Sequence, residues 1–157
     1  KAKKLARFVS SLDQFMTHAL SVYQADGSKV LEVTRPRKIM KSTVQVSDGT
    51  GAPLGTIRQQ NMIGKINFGL YDTTEQKIGE IRGENWRAWN FSIVDAAGSE
   101  VARITKTWEG LAKTMFTTAD NYVLDVQPEC QGTLRWLTFA SAVSVDLALK
   151  QDSRGLG

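Results

Sequence analysis

Two clusters in this 157-residue chain carry residue types that can do chemistry. Arg35, Arg37, Lys38 and Lys41 place four positive charges within seven residues around Pro36. Clustered cations attract anionic partners, either a membrane surface or nucleic acid. Pro36 fixes its own φ and disfavours helix in the residue before it. The four side chains are therefore expected to project from an extended loop rather than pair within a sheet. The second cluster closes the stretch ITKTWEGLAKTMFTTADNY, Ile104 to Tyr122, where Asp120 and Asn121 follow a hydroxyl-rich run. Such a turn offers oxygens to a metal, but calcium takes about six to eight of them, usually including several carboxylates. Asp and Asn side chains also bond to their own backbone in turns, and that role is the stronger expectation here.

Enzymatic constellations are not visible. The single histidine, His18, stands without a nucleophile motif, and no G-x-S-x-G, Walker, H-E-x-x-H or C-x-x-C pattern occurs. A non-enzymatic protein without a cofactor is expected. Asp146 is a carboxylate inside an apolar run and is read as one half of a structural ion pair. Trp86 and Trp89 flank Arg87, a combination that suits base stacking or a membrane interface. Trp89 alternates with Phe91 and Ile93 and so is read as inward-facing, and the role of Trp86 stays open. The single cysteine, Cys130, has no partner for an internal disulfide, which points to a reducing compartment or to no redox constraint, and a cytoplasmic setting is expected. The net charge of +4 is unevenly spread. Residues 1–41 hold nine Lys and Arg against three acids, whereas the remainder holds eleven against thirteen.

What must position these clusters is an internal repeat. SVYQADGSKVLEVTR, TVQVSDGTGAPLGTIRQ, NFGLYDTTEQKIGEIRG and NFSIVDAAGSEVARITK share one plan: an alternating run, a turn with an aspartate, and a second alternating run. Asp26, Asp48, Asp72 and Asp95 mark the turns at spacings of 22, 24 and 23 residues. Each unit reads as a β-hairpin with one face in a core. Gly55 and Gly79 suit bends or bulges in curved strands. Serial hairpins of this length form a meander, which avoids exposed edges by closing into a barrel. The run Leu134–Leu149 is apolar or small on nearly all sides and reads as a buried helix over 132–150, with Leu134, Leu137, Val143 and Leu147 all enclosed. Sixteen helical residues span about 24 Å, short of a hydrocarbon core of about 30 Å, so no transmembrane span is expected.

With these residues assembled, the chain resembles the phospholipid scramblases and LURP-one-related proteins, which share the tubby C-terminal fold. The resemblance rests on Ile104, Thr105, Lys106, Trp108, Gly110 and Leu111, then Ala119, Asp120, Asn121 and Tyr122. Thr34 to Lys38 (TRPRK) and Pro53 to Gln60 (PLGTIRQQ) match further steps of the pattern in order. The resemblance implies a mainly β, tubby-like antiparallel barrel around a hydrophobic C-terminal helix. It implies one domain over residues 1–157 that lacks the family's first N-terminal hairpin, with eight strands in the hairpins, YVLDVQ a ninth and AKTMFTT a candidate tenth. It also implies a calcium loop at the acidic turn. Here only Asp120, Asn121 and Glu129 (with Asp125 nearby) remain as weak ligand candidates, and the family's cysteine cluster is missing from KIMKST. The expected function is binding of anionic phospholipid headgroups through Arg35, Arg37, Lys38 and Lys41 at the inner face of a membrane. Nucleic acid is the less favoured anion, and the competing reading is a protein-interaction or structural scaffold.

Overall fold

The polar turns divide the chain into hairpins because alternation resumes immediately on either side of each one. The computed structural model describes residues 18–36, 43–60, 66–85, 90–106 and 122–154. Four hairpins follow one another: β1 (His18–Tyr23) with β2 (Lys29–Arg35), β3 (Thr43–Asp48) with β4 (Pro53–Gln59), β5 (Asn67–Tyr71) with β6 (Lys77–Asn85), and β7 (Asn90–Asp95) with β8 (Glu100–Lys106). The ninth described strand, β9 (Tyr122–Val126), adds to β8, and α1 (Gly132–Arg154) is the last described element. The nine described strands form one antiparallel sheet in sequence order. The protein is thus mainly β, hairpin-built, with one C-terminal helix. The candidate tenth strand, AKTMFTT, lies outside the described residues.

The turns are one turn repeated four times. The backbone N–H of Asp48 donates to the Ala52 carbonyl at 2.8 Å, and that of Gly51 returns to the Asp48 carbonyl at 3.1 Å. The same pair of bonds opens at Gln24, Asp72 and Asp95. The structural period therefore starts at Gln24, not at Asp26, and the spacings become 24, 24 and 23. Asp26 sits two residues into its turn and accepts from the Ser28 N–H and hydroxyl instead. Each turn needs one left-handed residue, which Gly27, Gly51 and Gly98 supply freely and Glu75 supplies at φ 65°.

A second repeated device curves the sheet. Register shifts leave one extra residue in each returning strand: Val30, Leu54, Ile78 and Val101. Such bulges bend and twist a strand, and each of these four turns an apolar side chain toward the core. Laid flat, the seven strand spacings from β2 to β9 would extend about 34 Å. A helix is only about 10–12 Å across. Yet α1 touches β2, β3, β4, β6 and β9, so the sheet curls around it. Leu31, Val33, Val46, Ile57, Leu70, Ile81, Phe91, Ile93 and Ile104 fill the space between.

The barrel expected as closed or nearly closed is met as a curled sheet, whose two end strands, β1 and β9, do not pair with each other among the described residues. One expectation needs correction. The helix α1 is not enclosed on all sides. Leu137 is fully buried, but Leu134 and Val143 are only half-buried, and Leu147 lies outside the described side chains. Trp136 and Phe139 are 42% and 37% exposed, whereas Thr138, Ser141 and Ser144 are buried. The helix is inverted, with its hydroxyls inside and its aromatics outside. Helix and sheet approach closely where the sheet carries glycine: a β-carbon on Gly79 would stand 2.8 Å from Leu134 Cδ1 and one on Gly55 3.2 Å from Leu137 Cδ1, so these two leucines rest on glycines of the sheet. The buried hydroxyls stay satisfied, Ser141 donating to the Leu137 carbonyl and Ser144 to the Ala140 carbonyl, both at 2.7 Å.

Candidate functional site

The topology gives the molecule two chemically different ends. All four hairpin turns lie at one end, together with the start of α1. There a depression of about 520 Å³ is lined by Asp72, Ile78, Asp95, Ala96, Ala97, Thr133 and Leu134. Its carboxylates are already committed to holding the turns. Asp72 Oδ1 accepts from the Thr74 N–H at 2.9 Å, the Thr74 hydroxyl at 2.7 Å and the Gln76 N–H at 3.0 Å. Asp95 accepts from the N–H groups of Ala97 and Ser99 at 3.0 and 2.9 Å. No group of three or more His, Cys, Asp or Glu able to hold a metal occurs among the described residues.

These bonds favour the ionised carboxylates of Asp26, Asp48 and Asp72. The hydroxyl of Ser28, Thr50 or Thr74 is the main cause in each case, the backbone N–H groups add to it, and each pKa falls below the ordinary 3.8. A lowered folded-state value contributes stability that is fully present above about pH 4 and lost as the pH falls through the folded value. The triple variant Ser28→Ala, Thr50→Val, Thr74→Val is therefore expected to melt below the parent at pH 7. The gap should narrow as the pH drops from about 4 to about 2. A gap of constant size across that range in thermal melts would show that the carboxylates are not the source.

The opposite end receives every connection between hairpins, because Arg35, Thr43, Gln59, Asn67, Asn85, Asn90, Lys106 and Tyr122 all terminate strands there. Arg35 does not project from it as expected. The alternation of Leu31 and Val33 carries it onto the core face, where it is 3% exposed and has an interaction partner. Pro36 acts only after that register is set. Arg37, Lys38 and Lys41 lie outside the described residues, as do Asp120, Asn121, Trp86 and Trp89. Glu129 is exposed in the turn after β9. His18 and Asp146 belong to β1 and α1, and their side chains lie outside the described set. Cys130 is fully buried, its Sγ 3.6 Å from the Thr138 hydroxyl.

Charge divides the described side chains from the rest of the chain. The described side chains include seven Lys and Arg against ten Asp and Glu, and the rest of the chain holds thirteen against six. On the sheet exterior, Lys29 pairs with Glu32, Arg58 with Glu75, Lys77 and Arg82 with Glu80, and Arg103 with Glu100. Arg135 donates to the Cys130 carbonyl at 3.2 Å and lies 5.3 Å from the Phe139 ring centre. Every described cation is thus engaged. The sequence did not reveal this, because its basic residues carry no mark of which ones face a carboxylate across a strand.

Among the described residues no helix is long and apolar enough to cross a membrane. Neither the characterised proteins nor the solved structures give a match. The Scramblase family model, in contrast, matches residues 5–149, nearly the whole chain. With the hairpin sheet and the C-terminal helix in place, the conclusion is direct: this chain belongs to the Scramblase family.

Proposed function

We propose that the protein binds anionic phospholipid headgroups at a membrane surface through the end that carries the hairpin connections. One observation supports this most: the described body carries a negative balance with all its cations engaged, so the positive excess lies in the remaining segments. Arg37, Lys38 and Lys41 fall together in one connection at that end. Basic residues near an anionic surface contribute about 1 kcal/mol each. Arg35 is left out of the patch because its buried guanidinium cannot reach a headgroup without unfolding the end of β2. Family membership supports a lipid-related role in the same direction.

Vesicle flotation tests the reading. The protein is expected to float with vesicles containing about one-third phosphatidylserine, not with pure phosphatidylcholine, and to be released by salt. Screening shortens from about 10 Å at 0.1 M to about 3 Å at 1 M, so the release should be nearly complete. Equal, salt-insensitive flotation on both vesicles, or none on either, would remove the headgroup reading. A protein-interaction scaffold would then be the better description.

A further inference from the structure

We draw no further inference here: the strongest candidate, the depression at the turn end between Asp72, Asp95 and the start of α1, carries nothing, because both carboxylates already hold the hairpin turns and no buried polar side chain left without a hydrogen bond among the described residues lines it.

Discussion

Gly55→Ala is expected to destabilise the protein by about 3 kcal/mol or more, among the largest effects of any single methyl addition in this chain. The added β-carbon would stand 2.2 Å from the backbone oxygen of Tyr71 and 3.2 Å from Leu137 Cδ1. The leucine could rotate aside, but the Tyr71 carbonyl belongs to the neighbouring strand and cannot move without breaking the β4–β5 pairing. The backbone at Gly55, with φ 156°, adds a conformation that side chains rarely adopt. Gly55 lies next to the bulge at Leu54, so the substitution attacks the device that curls the sheet at the place where α1 rests. Urea unfolding should show a lower midpoint with an unchanged slope. Truncating Leu137 in the same chain should not restore the loss, because the backbone contact remains. A Gly55→Ala protein as stable as the parent would mean that β4 and the Tyr71 carbonyl of β5 do not approach this closely.

Reversing two charges of the basic connection is expected to have the second large effect. Arg37→Glu with Lys38→Glu removes two attractive contributions of about 1 kcal/mol each and adds repulsion, so binding to anionic vesicles should weaken at least about thirtyfold. The melting temperature is the control: it should stay near that of the parent if the reversal acts on binding alone. Arg35→Glu provides the contrast. That side chain is buried, so its reversal should lower the melting temperature through the cost of an unsuitable buried charge. If the double reversal binds vesicles as tightly as the parent, the connection at 36–42 is not the contact, whatever the fold retains.

The sequence by itself determined the hairpins, their order and the ninth strand. Strand alternation and turn chemistry are local: Val44 and Val46, or Phe91 and Ile93, fall on the inner face simply because side chains alternate, and Asp48, Asp72 and Asp95 bond to the N–H groups two and four residues on. No distant residue is needed for either. Membership of the family was legible for the same reason, since its markers follow the repeated strands and turns. The tertiary structure alone decided which surfaces are covered. Arg35 is buried because Leu31 and Val33, two and four residues before it, commit β2 to one register, and a cluster of cations read along the chain cannot show that. The apolar run of α1 gave no orientation; in the fold Leu134 and Leu137 rest on Gly79 and Gly55 of other strands, Thr138, Ser141 and Ser144 are buried, and Trp136 and Phe139 stay exposed. The expected closed or nearly closed barrel is met as a curled sheet, and only the degree of closure was beyond the sequence. Alternation fixes the two sides of each strand, but closure depends on the curvature accumulated over the bulges and on whether β9 meets β1, a contact between strands a whole sheet apart.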